Sequence, residues 1–121
     1  MDKKTILIVE DDRPLMQAMY EKLSRENYNL LKSFDGDDGL ETALVKHPDL
    51  ILLDIIMPKM SGLTMLKKLR EDTWGREVPV IILTNLAEDI VSEELKKNIV
   101  GYFIKSDWKI EDIVRKIKEL F

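Results

Sequence analysis

The sequence contains no cysteine, which removes disulfides and thiolate metal sites from consideration. Long apolar runs are also missing, and none approaches the ~20 residues of a membrane span. The first ten residues, MDKKTILIVE, hold neither the extended apolar region nor the small-residue cleavage site of a secretory leader. Positive charge is in deficit: 19 Lys and Arg face 23 Asp and Glu, for a net charge of -4. That balance disfavours non-specific nucleic-acid binding, which needs a basic patch or stripe. A Gly-rich Walker loop is absent, so nucleotide binding is not indicated. Repeats, linkers and low-complexity segments are absent too. The expectation is a soluble cytoplasmic protein with no membrane segment and no direct nucleic-acid contact. What is present is 121 residues, 45% of them apolar, enough for one compact domain with a real core over residues 1–121.

Apolar blocks alternate with amphipathic ones. Thr5–Val9, Tyr28–Phe34, Leu50–Asp54, Val78–Thr84 and Val100–Lys105 read as strands. Between them lie helical stripes. Leu15, Met19 and Leu23 follow a start at Asp12 and Pro14. Leu40, Ala43 and Leu44 follow the turn DGDDG at Asp35–Gly39, and Pro48 ends that helix. Leu63, Leu66 and Leu69 form a stripe running to about Asp72, after a loop marked by Pro58, Ser61 and Gly62. A weaker helix is expected over roughly Glu88–Asn98, and Ile110, Ile113, Val114, Ile117 and Leu120 complete the last one. Strands this apolar are covered on both faces, which favours a parallel α/β sheet. In such sheets ligands sit outside the carboxyl ends of the strands.

The strand ends carry the chemistry. ILIV runs straight into Glu10, Asp11 and Asp12, and LILL into Asp54. VIIL closes on Thr84 and YFI on Lys105. By itself an acidic triplet is a helix cap with solvated charge. Together with carboxylate, hydroxyl and ammonium groups at equivalent ends of other strands, it suits a hard cation such as Mg²⁺, which takes oxygen ligands. A carboxylate beside Mg²⁺, a Lys and a hydroxyl is able to accept a phosphoryl group.

At these residues the sequence closely resembles the receiver domain of two-component response regulators. ILIVEDD resembles the family's acid pocket, LLDIIMPKMSG its phosphoacceptor segment, and VIILTN and YFIK its switch and lysine segments. The four motifs fall in order, with 43, 30 and 21 residues separating Asp11, Asp54, Thr84 and Lys105. The resemblance covers the whole chain. It implies a flavodoxin-like (βα)5 doubly wound parallel sheet of strand order 2-1-3-4-5, with helices on both faces. It makes Asp54 the phosphoacceptor and Thr84 and Lys105 its partners. Mg²⁺ would be held by Asp11 and Asp54, by Glu10 through water, and by the Ile56 carbonyl. Tyr102 matches the switch aromatic that moves together with Thr84. The implied donor is a histidine kinase or a histidine phosphotransfer protein. The implied listener is a downstream effector or a fused output domain, reading the face of the fourth helix, fifth strand and fifth helix. The last helix is a candidate homodimer face. The domain would catalyse its own phosphorylation and slow hydrolysis rather than turn over a separate substrate.

Four positions stand out against the family pattern. Asn85 stands where a small residue is usual, predicting altered phosphotransfer kinetics. Ser106 stands where proline is usual, and a cis non-proline bond costs about 2.5–4 kcal/mol, so Lys105–Ser106 is expected to be trans. Ile56 and Leu86 are apolar at the two positions that tune the attacking water, predicting slow dephosphorylation. Two other readings compete: a receiver-like docking module that needs no phosphorylation, and a small aspartate phosphatase. The second lacks the usual Asp-x-Asp, because Ile56 stands two residues after Asp54. DGDDG does not fit an EF-hand loop, since Gly39 and Leu40 fall where an acid and a glycine are needed. His47 is expected at a helix end as a surface or capping residue, and Trp108 as a reporter beside Lys105.

Overall fold

The computed structural model describes residues 3–57, 59–84 and 93–121. Strands and helices alternate: β1 (Thr5–Val9), α1 (Arg13–Ser24), β2 (Asn29–Ser33), α2 (Gly36–Lys46), β3 (Leu50–Asp54), α3 (Gly62–Glu71), β4 (Val80–Thr84), α4 (Glu93–Lys96), β5 (Gly101–Ile104) and α5 (Ile110–Leu120). The strands form one parallel sheet in the order β2-β1-β3-β4-β5. This is the doubly wound flavodoxin-like arrangement that the resemblance implies.

The two-residue period of a strand sends alternate side chains to opposite faces. Leu7, Val9, Ile51, Leu53, Val80 and Ile82 therefore pack with Ala43, Met65 and Leu69 of α2 and α3. Ile6, Ile8, Leu50, Leu52, Ile81 and Leu83 pack with Met16, Met19 and Leu23 of α1 and with Ile113 and Ile117 of α5. Unbroken apolar strands are thus explained by two cores rather than one.

The helices start where their caps are. Asp12 accepts Leu15 N–H at 3.1 Å, Asp35 accepts Asp38 N–H at 2.8 Å, and Ser61 accepts Thr64 N–H at 3.3 Å. DGDDG is accordingly a cap and first turn. His47 closes α2 in the left-handed conformation, φ 49°, an exposed capping position. It also stacks on Trp74, with ring centroids 4.2 Å apart.

Several boundaries differ from expectation. β4 begins at Val80 rather than Val78, after Pro79, which has no N–H to give a ladder. β2 and β5 are each trimmed at both ends relative to Tyr28–Phe34 and Val100–Lys105. On α1 the buried residues are Met16, Met19 and Leu23; Leu15 is only partly covered, because spacings of three and four both lie on one helix face. The helix expected over Glu88–Asn98 is described only in part, as α4, and its first half lies outside the described residues. Among the described residues no helix is long and apolar enough to cross a membrane.

A parallel sheet puts every carboxyl end on one edge. Glu10–Asp12 follow β1, Asp54 ends β3, Thr84 ends β4 and Lys105 follows β5. The expected residues converge because the strands share a direction.

Candidate functional site

Glu10 leaves β1 with its N–H bonded to Ser33 O of β2 at 3.0 Å. That bond continues the sheet one residue and turns the side chain into the protein, where it is fully buried. Its Oε2 accepts the Asp12 N–H at 3.1 Å. Its Oε1 meets Lys105 Nζ at 2.7 Å. Burial pushes the Glu10 carboxyl up to about 7, against the pull of Lys105 and the Asp12 amide.

Asp54 is 3% exposed at the end of β3. Its Oδ1 accepts the Ile56 N–H at 3.3 Å, and its Oδ2 lies 3.2 Å from Lys105 Nζ. Burial raises this carboxyl as well, opposed first by the charge of Lys105. Lys105 is held at the site by its backbone: its N–H donates to Thr84 O at 2.6 Å. Burial by itself would lower the Lys105 ammonium, but the Glu10 bond and the charges of Asp54 and Glu10 together outweigh it, and the net shift is upward. Asp11, by contrast, is exposed at the mouth.

Glu10, Asp11 and Asp54 each offer a carboxylate oxygen, and these atoms lie within 4.8 Å of one another. Oxygen-only donors at that spacing suit a hard divalent cation. Burial raises both carboxyls despite the ammonium they share. Asp12 is spent on capping α1.

The other expected residues fall as follows. Thr84 is fully buried at the end of β4, in register with Ile104. Ile56 contributes its backbone, while its side chain is 53% exposed. Tyr102 is partly buried on β5, packs against the α2–α3 core and has Lys96 Nζ 5.6 Å from its ring centroid. The Lys105–Ser106 bond is trans, as expected. Asn85 and Leu86 lie outside the described residues. Trp108 packs edge-on against Phe103 at 6.3 Å.

Sequence reasoning missed two features. It made Lys105 a partner of Asp54 but did not foresee that the same ammonium also meets Glu10; the signal was the excess of acids over lysines at the strand ends. It also read Gly62 as a loop marker. A Cβ there would sit 2.2 Å from Asp54 O and 2.8 Å from Ile55 Cα, so α3 starts close behind the Asp54 backbone only because residue 62 has no side chain.

The fold agrees with what relatives show. Residues 6–118 match the model of the response regulator receiver domain. The chain belongs to the response regulator receiver family. The transcriptional regulatory protein DltR of Streptococcus agalactiae is 47% identical over 79 residues, which are 65% of this chain and 34% of that protein. The receiver thus spans about a third of that regulator's length. Among solved structures, the receiver domain of the Francisella response regulator 1452 superposes with a TM-score of 0.88 at 27% identity, over 98% of this chain and 96% of that one. The Thermotoga maritima response regulator TrrA, solved with Mg²⁺ and a beryllium fluoride, superposes with a TM-score of 0.84 at 26% identity, over 98% and 99% of the two chains. This chain is therefore a signalling domain of two-component systems, with an acidic pocket at the carboxyl edge of its sheet.

Proposed function

We propose that this receiver takes a phosphoryl group onto Asp54 from a phosphohistidine, in a reaction that needs Mg²⁺. The observation that carries the reading is the meeting of Glu10, Asp11, Asp54 and Lys105 at one edge of the sheet. An Asp54 carboxylate oxygen attacks phosphorus, the P–N bond to the donor imidazole breaks, and the imidazole nitrogen keeps the electron pair and takes a proton. Asp54 must be ionised to attack, and Lys105 favours that form. As the phosphoryl group arrives, Lys105 releases Asp54 Oδ2 and pairs with a phosphoryl oxygen. Thr84 bonds another, and the Ile56 N–H keeps its hold on the carboxyl group. Asp11 and Asp54 would hold Mg²⁺ directly, Glu10 would hold it through water, and the Ile56 carbonyl would complete the protein ligands. When bound, Mg²⁺ would supply positive charge against the phosphoryl oxygens and the carboxylates. That TrrA, a protein of the same fold, was solved with Mg²⁺ and a beryllium fluoride supports a role for Mg²⁺ in this reading.

The listener is the α4-β5-α5 face, which changes as Thr84 of β4 and Tyr102 of β5 move together with the local charge. The partners are a histidine kinase or phosphotransfer protein upstream, and an effector or fused output domain downstream. Residues 1–121 act as a single receiver unit in the cytoplasm, with α5 the candidate dimer face. The domain turns over no separate substrate, and apolar Ile56 and Leu86, two residues past Asp54 and Thr84 in the sequence, leave the phosphoryl group to hydrolyse slowly.

The test is intact mass after incubation with acetyl phosphate and Mg²⁺, wild type beside Asp54→Ala. A phosphoryl mass gain that needs Mg²⁺ and is lost in the variant is the expected result. No gain under any condition would overturn the reading in favour of a docking module.

A further inference from the structure

If Asp54 is the phosphoacceptor, its aim depends on the loop between β3 and α3, because the Ile56 N–H of that loop holds the carboxyl group. Both ends of the loop are pinned. Ile55 N–H donates to Leu83 O of β4 at 3.2 Å, and Gly62 N–H to Ile55 O at 2.8 Å. The middle is braced from outside, by α2. A Cβ on Gly36, the first residue of α2, would lie 2.2 Å from Met60 O and 2.9 Å from both Met60 C and Met60 Cβ. Those atoms are mainly backbone, so a side chain at 36 is accommodated only by moving the loop or the helix. Lys59 next door adopts φ 65° and reaches Asp35 Oδ2 at 3.4 Å, and Asp35 is the residue that caps α2. The start of α2 and the phosphoacceptor loop thus form one braced unit.

We infer that Gly36 is a positioning residue for the phosphoacceptor: by letting α2 seat directly on the Met60 backbone, it sets the loop that aims Asp54 and presents the Ile56 carbonyl. The inference rests on the reading of Asp54 given above. Gly39, one turn further along α2, supplies the control. Its Cβ would meet only side chains, Val9 Cγ1 at 2.9 Å, Val9 Cγ2 at 3.0 Å and Met65 Sδ at 3.2 Å. Alanine there strains the core without pressing on the loop.

The experiment compares Gly36→Ala with Gly39→Ala and wild type in three ways. These are the amide resonances of Ile56 and Met60, Mg²⁺ affinity by calorimetry, and the rate of phosphoryl mass gain per folded molecule. Gly36→Ala is expected to shift both resonances and to weaken Mg²⁺ binding and slow phosphorylation by about tenfold or more, as displaced reacting groups do. Gly39→Ala is expected to lower the melting temperature while its Mg²⁺ affinity and rate stay within about twofold of wild type. Gly36→Ala matching wild type would overturn the inference. So would losses in both variants that simply follow their melting temperatures. Should Gly36→Ala fail to fold, Lys59→Ala decides, because an exposed pair contributes little to stability. Weaker Mg²⁺ binding at an unchanged melting temperature supports the brace, and no change overturns it. Absence of mass gain in wild type would refute the Asp54 reading alone, since resonances and Mg²⁺ affinity still report on Gly36.

Discussion

The two ends of the sheet use buried charge in opposite ways. At the carboxyl end one ammonium, Lys105, is shared by two buried carboxylates, at 2.7 Å from Glu10 and 3.2 Å from Asp54. At the amino end one guanidinium, Arg70, is divided among three neutral carbonyls: Gly75 O at 2.7 Å, Val78 O at 2.8 Å and Asn98 O at 2.5 Å. Arg70 joins α3 to the start of β4 and to the segment before β5, and these carbonyl dipoles are partners it has no need to exchange. Nearby, Asp49 and Thr5 close a reciprocal pair, Thr5 N–H to Asp49 Oδ2 and Asp49 N–H to Thr5 O, both at 2.8 Å. The lesson concerns placement of strain. Groups that hold the fold together are saturated by permanent partners. Groups proposed to react share an insufficient partner, which leaves them able to exchange it for a cation or a phosphoryl group.

Substitutions can break this contrast. The largest effect is expected from Lys105→Met, which removes the ammonium that the two carboxylates share. Phosphorylation by acetyl phosphate should fall about a hundredfold, as when a charge-stabilising donor is removed from a reacting site; a rate within threefold of wild type would place the essential cation elsewhere. At the other end, Arg70→Met should lower stability by about 3 kcal/mol in urea unfolding, because carbonyls lose charge-assisted bonds. Its phosphorylation rate per folded molecule should stay unchanged. A rate loss there would merge the two ends into one functional unit.

The smallest effect sharpens the comparison through pH. Glu10 is an acid whose folded pKa, about 7, stands above its ordinary 4.5. The folded state therefore holds that proton more tightly than the unfolded chain. Its contribution favours folding most below pH 4.5, declines between 4.5 and 7, and is at its least favourable above 7. Without Mg²⁺, Glu10→Gln should flatten the fall in melting temperature across that window. With Mg²⁺, the stabilisation of wild type should be greater at pH 8 than at pH 5, since the cation needs the ionised carboxyls. An equal gain at both values would show that the ion does not use this cluster.

Much of this was legible in the residues. Five apolar runs, each closing at a turn or polar residue, are the direct imprint of strands buried on both faces. The spacing of Asp11, Asp54, Thr84 and Lys105 follows from the length of each strand–helix unit. Strand ends were less legible. Pro79 trims β4 through a missing donor, and which of Leu15 or Met16 faces the core is decided by helix phase rather than by hydrophobicity. The roles of Gly36 and Gly62 were illegible in sequence, because a glycine needed for close approach looks the same as a glycine in a turn.

The sequence by itself determined the parallel α/β class, the acids at the strand ends and the oxygen-rich chemistry they imply. Those depend on local periodicity and residue type. The tertiary structure decided which acid Lys105 meets more closely, how far burial raises Glu10 and Asp54, and where α2 presses on the phosphoacceptor loop. Distances, desolvation and backbone contacts arise between segments far apart in the chain, and no local pattern encodes them.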